Sequence, residues 1–161
     1  MRDQTIKDKA YKSLVRPLLE YGSTVWDPDS AVQSAKLEKI QRRAARFTLN
    51  KYQRTSSVGA MLQQLAWPTL QERRRAARLA MMYKIHNNLV AVDMSKYLTS
   101  KEHSAPTRSE NSQAFVIPHS AREYHKSSFF PKTARDWNTL PENLIQSKSI
   151  EAFKQGLSKL I

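Results

Sequence analysis

One amphipathic run constrains this chain more than any other feature. Residues 12–47 read KSLVRPLLEYGSTVWDPDSAVQSAKLEKIQRRAARF and close on QRRAAR, a cation cluster with almost no acid beside it. On a helical wheel of about 100° per residue, Leu37, Ile40, Ala44 and Phe47 share roughly one quadrant and predict an apolar stripe. Lys39, Arg42 and Arg46 fall opposite, flanked by Lys36 and Arg43, and Glu38 relieves the arc only at its edge. Like charges on one arc repel each other unless an anion offsets them. A solvated surface is the ordinary fate of a charge run; a helix that tracks phosphates is the sharper reading.

Charge balance favours the second reading. Lys and Arg number 27 against 14 Asp and Glu, a formal charge of +13, and the pI near 10.2 lies in the range of nucleic-acid-binding domains. No run of about 18 apolar residues marks a membrane span, and the opening MRDQTIKDKA has no signal-peptide core. The expectation is an intracellular protein, nuclear or cytoplasmic, without a membrane partner. With no cysteine in the chain, disulfides and Cys-ligated zinc are excluded. His86, His103, His119 and His125 show no metal spacing, so no metal or other cofactor is expected. A length of 161 residues suits one or two small domains.

Periodicity predicts four helices in the first part. The first covers about residues 5–26, with Leu14, Val15, Leu18 and Val25 at helical spacing and a kink at Pro17, whose nitrogen cannot donate to the Ser13 carbonyl. Asp27, Pro28, Asp29 and Ser30 make a turn with cap-competent side chains, and the basic helix follows to about Leu49, giving an αα-hairpin. Ser56 or Ser57 caps a short third helix carrying Val58, Met61, Leu62 and Leu65. A fourth begins near Pro68 and runs to about Asn87, with apolar residues on several sides, as in a central, buried helix. It carries Arg73, Arg74, Arg75 and Arg78 in its early turns, where the helix dipole disfavours cations and Glu72 offers one carboxylate. Three consecutive arginines point about 100° apart, so one or two of them, Arg73 and Arg74 foremost, suit phosphate while others bridge helices.

Residues 99–112, TSKEHSAPTRSENS, read as a linker or mobile loop. Beyond it, QAFVIP and EYHKSSFF have strand-like composition, and HSAR between them suits a hairpin turn. Pro131 opens a short helix through Trp137, and Ser149 caps a last helix with Ile150, Phe153, Leu157 and Leu160 inward. The expected fold class is mainly α: a helical domain over residues 1–98, a linker over 99–112, and a small α+β domain over 113–161 with a β-hairpin and a C-terminal helix.

Several of these segments occur together in a characteristic order: LVRPLLEYGSTVWDP, LEKIQRRAARF, a Leu-Trp-Pro-like step into LQERRR, YKIHNN, SFFPKTARDWNTLP and FKQGL. In that order they resemble the C-terminal segment of jockey-like LINE (non-LTR retrotransposon) reverse transcriptases, the part that follows the polymerase palm, over about residues 10–160. The resemblance implies that the first helices form a thumb-like bundle holding template and primer, with nucleic acid as partner, as an RNA–DNA hybrid or duplex backbone, and the polymerase palm domain as a second partner. The thumb motif falls on Leu14, Val15, Arg16, Pro17, Glu20 and Tyr21, the Trp-Asp-Pro corner on Trp26, Asp27 and Pro28, and the basic helix on residues 38–46. The downstream motif falls on residues 128–131, Trp137, Asn138, Leu140 and Pro141. Phe129, Phe130 and Trp137 suit either stacking on unpaired bases, which contributes roughly 1–3 kcal/mol per base, or packing in a small core.

An RNA-directed DNA polymerase needs metal-binding carboxylates, which that family presents as paired aspartates; no Asp-Asp pair occurs here, so two-metal chemistry has no visible home. Three glycines, Gly22, Gly59 and Gly156, exclude a phosphate-binding P-loop. No nucleophile motif surrounds the serines or histidines. The expectation is a non-enzymatic, nucleic-acid-binding piece of a polymerase that acts on no small molecule, with Lys36, Lys39, Arg42, Arg43, Arg46, Arg73 and Arg74 as its contacts. The alternative is a protein-interaction module that docks on an absent polymerase domain and does not bind nucleic acid.

Overall fold

The computed structural model describes residues 2–101, 111–117, 119 and 122–160. It is mainly helical with a small two-stranded antiparallel sheet, the class expected from sequence. The chain divides into two compact units, Met1–Arg74 and Arg75–Ile161. That division falls inside a helix, whereas the sequence places a boundary between residues 1–98 and a linker at 99–112, of which 102–110 lie outside the described residues. Packing is the reason. Leu79, Met82 and Tyr83, assigned by periodicity to the first domain, are buried with Leu98, Phe115, Trp137 and Phe153.

In the first unit, α1 (Arg2–Ala10) leads through a π-helical turn (Tyr11–Val15) into α2 (Arg16–Glu20). The irregularity expected at Pro17 thus takes the form of a widened turn just before it. The proline ring crowds the carbonyl four residues back and removes one hydrogen bond, and the Arg16 N–H reaches Tyr11 O instead. Gly22 then turns the chain with φ +63°, a left-handed conformation that costs glycine little, and α3 (Ser23–Trp26) follows. After α4 (Ala31–Leu49), Asn50 adopts φ +52° while Lys51 N–H returns to Arg46 O, a Schellman-like stop. Ser57 caps α5 (Val58–Gln64) by accepting from Ala60 N–H, as read from sequence.

The first unit has a small core of Tyr11, Ala45, Met61 and Trp67. The Tyr11 and Trp67 rings stack at 4.3 Å. Each polar tip has a partner: the Trp67 indole N–H donates to Asp8 Oδ1 at 2.8 Å, and Tyr11 OH donates to Gln41 Oε1 at 2.8 Å. Gln41 in turn donates through Nε2 to Pro68 O at 2.9 Å, so this buried amide is used at both ends, as burial of a polar group requires. Burial pushes the Tyr11 phenol up to about 12. Helix α6 (Leu70–His86) opens on a capping box. Thr69 N–H donates to Glu72 Oε2, and Glu72 N–H donates to Thr69 Oγ1, so two otherwise orphaned donors are satisfied reciprocally.

In the second unit, the remainder of α6 supplies one wall of a larger core that includes Ala134, Leu140, Leu144, Ile145 and Leu157. Strand β1 (Thr99–Ser100) pairs antiparallel with β2 (Phe115–Val116). The expected hairpin between 113–118 and 123–130 is therefore not formed. Residues of EYHKSSFF lie in α7 (Glu123–Lys126) and at the start of α8 (Phe129–Asn138), where Pro131 sits in the first turn, the part of a helix that tolerates its missing N–H. The Asn138 side chain accepts from Phe115 N–H at 2.9 Å and donates to Phe115 O at 2.8 Å, occupying the strand's other side. Helix α9 (Glu142–Ile145) and the Ser149-capped α10 (Ile150–Leu160) complete the unit. Phe153 and Leu157 point inward as expected, Ile150 is partly buried, and Leu160 is exposed.

Candidate nucleic-acid interface

Helix α4 presents the expected cations, but on a face set by a different inward side. Gln41, Ala45 and Thr48 are its buried residues, whereas Ile40 is 39% and Phe47 52% exposed. The inward face is thus rotated by roughly a quarter turn from the predicted stripe, at about 100° per residue. Two causes are visible. The Gln41 amide is held inside by Tyr11 and Pro68, and Ala45 is fully buried in the core with Met61 and Trp67. Phe47 is left at the rim with Lys7 Nζ 4.6 Å from its ring centre, and Lys7 is itself bonded to Asp3 and Asn50.

Lys36, Lys39, Arg42 and Arg43 are exposed, and Arg46 is half-buried. All five lie on the arc away from Gln41, Ala45 and Thr48. At 1.5 Å per residue they cover about 15 Å of helix. Among the described residues none of the five takes part in an ion pair or a side-chain hydrogen bond. Glu38, the one acid of the arc, accepts instead from Gln71 N–H at 3.0 Å. Arg54, in the turn after α4, is also exposed; it lies beyond the helix, where periodicity gives no sign of it.

The arginines of α6 behave otherwise, and the structure does not place Arg73 or Arg74 with the α4 cations. Arg73 makes a bidentate pair with Glu20, which holds its guanidinium more firmly charged than usual. Arg74 is 1% exposed, donates to Asp27 Oδ1 at 2.7 Å and Ser34 Oγ at 3.0 Å, and burial lowers its pKa from the ordinary arginine value. In the second unit, Arg75 and Arg78 both donate to Asp136, at 3.1 and 2.8 Å. The helix-bridging role weighed for this cluster is the one found, because each arginine has a carboxylate within reach.

The aromatic candidates are also taken up by packing. Trp137 is fully buried, with its indole N–H on Gln113 O. Phe130 packs against the core and stacks on Tyr97 at 4.3 Å, with Phe129 edge-on to it. Among the described residues, no three His, Cys, Asp or Glu side chains gather as a metal site, and no helix is long and apolar enough to cross a membrane. No protein-family model matches the chain, and no curated protein or solved structure matches it either.

Proposed function

We propose that this chain is a nucleic-acid-binding module that grips the backbone of a duplex, an RNA–DNA hybrid foremost, through the outward cations of α4. The observation that carries this reading is the set of five unpartnered cations on one helix face, in a chain whose other arginine cluster is fully engaged by acids. Such a face gains most from an anion that presents charge at regular spacing, and a nucleic-acid backbone is that anion. In this reading the module is the thumb and following segment of a jockey-like LINE reverse transcriptase, acting where such an element meets nucleic acid, in nucleus or cytoplasm. The polymerising chemistry then belongs to a palm domain and not to these residues. A purely protein-docking module leaves the α4 cations without a role; the apolar surface that favours protein contact lies on other residues and is considered below.

Fluorescence anisotropy with an RNA–DNA hybrid, duplex DNA and single-stranded RNA across a salt series tests the proposal. Five phosphate contacts predict that log K falls against log salt with a slope of about −4 to −5, and replacing Arg42, Arg43 and Arg46 together by Gln should flatten it by about 3. The exposed replacements at Arg42 and Arg43 should each shift fold stability by no more than about 0.5 kcal/mol. Salt-insensitive binding, or a triple variant that binds as well as the parent, sinks the proposal.

A further inference from the structure

The largest unexplained feature of the first unit is apolar. Leu14 is 68% exposed, Leu18 78%, Tyr21 86% and Val25 89%, joined by Val15 at 39% and Trp26 at 40%. Leu14, Leu18 and Tyr21 are spaced i, i+4, i+7 and so share one face of the helical rod. The Trp26 indole N–H donates to Tyr21 O, which fastens α3 beside the end of that face. The exposed positions among residues 13–26 are Ser13, Leu14, Val15, Pro17, Leu18, Tyr21, Gly22, Val25 and Trp26, and none carries charge. The two charged residues of the stretch, Arg16 and Glu20, are half-buried, and Glu20 is bonded to Arg73.

We infer that this face is a homodimer interface, in which the Leu14, Leu18 and Tyr21 surface of one copy meets the same surface of a second copy across a two-fold axis. Area is the first argument. Leu14, Leu18 and Tyr21 leave roughly 450 Å² open, and Val15 with the α3 residues Val25 and Trp26 at the edge of that face add about 300 Å², a total near the ~800 Å² that each partner contributes to a standard stable interface. It exceeds the ~300–600 Å² of the largest apolar patch on an ordinary monomer. Self-complementarity is the second. A two-fold contact sets a patch against its own copy, so a patch of one charge sign would repel itself. In a chain of net charge +13, a surface of this size with no exposed charge is the kind that meets itself without that repulsion. The remaining positive charge of the two copies is screened beyond a Debye length of about 8 Å at physiological ionic strength, so salt should favour the dimer while it weakens a phosphate contact.

Sedimentation velocity of the nuclease-treated full chain, over two decades of concentration and at low and high salt, decides this. The expected result is a mass that rises from 18.6 kDa toward twice that value, earlier at high salt. Leu18→Lys should hold the chain at single-chain mass with an unchanged circular dichroism spectrum, because the side chain it replaces lies outside the core; Leu14→Lys repeats the test should the first variant fold poorly. A single-chain mass at every concentration overturns the inference. So does a dimer that survives both lysine variants, an assembly larger than two chains, or one that dissolves at high salt as a nucleic-acid bridge would.

Discussion

The pentapeptide RRAAR occurs twice, at residues 42–46 and 74–78, both times within a helix, and the two copies have opposite fates. In α4 its arginines face outward with no acid bonded to them. In α6, Arg74 is bonded to Asp27 within the first unit, and Arg75 and Arg78 to Asp136 within the second. Local sequence cannot cause the difference, since helix type, spacing and even the alanines are shared. What differs is whether a carboxylate from a remote part of the chain arrives at the right place. A charge run is therefore a structural device where acids meet it and a candidate binding surface where none do.

The largest expected effect comes from breaking the paired copy. Asp27→Ala strands the buried Arg74 guanidinium and should destabilise the first unit by roughly 3–5 kcal/mol, the usual result of removing one partner of a buried ion pair. Urea unfolding followed by tryptophan fluorescence reads it, and a loss under about 1 kcal/mol would place the pair among exposed ion pairs that contribute little.

Acid should also separate anchored carboxylates from free cations. Burial alone would raise the Asp8 carboxyl, but hydrogen bonds from Lys12 and Trp67 outweigh it and hold Asp8 below the usual carboxylate range. The Ser112 hydroxyl and N–H hold Glu142 down likewise in the second unit. A folded pKa below the unfolded value near 3.9 to 4.3 gives stability that is fully present above that range and is lost as pH falls through the folded value. The melting temperature should therefore decline below about pH 4, and Asp8→Asn should flatten part of that decline. An identical acid profile for Asp8→Asn would remove Asp8 from the account.

The smallest expected effect comes from giving the free copy an acid. Val32 is 66% exposed in the first turn of α4, four residues before Lys36. Val32→Glu places a carboxylate near the positive end of the helix dipole and in the favourable order with a lysine, so stability should rise by about 0.5 kcal/mol. Affinity for the hybrid should fall at the same time, because the new charge neutralises part of the arc. Unchanged affinity in anisotropy would mean that this end of α4 lies outside the contact.

Much of the fold was legible locally. Ser57 and Ser149 announced their helices through side chains that cap within three residues, and Pro17 announced a disturbance, though not its π-turn form. The inward side of α4 was not legible, because it depends on Tyr11 and Pro68 reaching Gln41 across 30 and 27 residues. Nor was the engagement of Arg73 and Arg74 by Glu20 and Asp27, which lie 53 and 47 residues away. The sheet was misread for a related reason: β1 is only Thr99 and Ser100, too short for a periodicity of two to register, and it lies in a stretch whose polarity reads as linker. The cations of α4 were legible because exposure needs no distant partner.

The Asn138 amide on Phe115 has a consequence for how this protein behaves in a crowded solution. A strand with a free side is a template on which another chain can add, the first step of sheet-to-sheet aggregation. Here a single side chain from α8 takes both outward-facing backbone groups of Phe115, so at that residue β2 offers no vacant ladder to an incoming strand. The sheet is closed to growth there by two hydrogen bonds from one residue, with no third strand among the described residues.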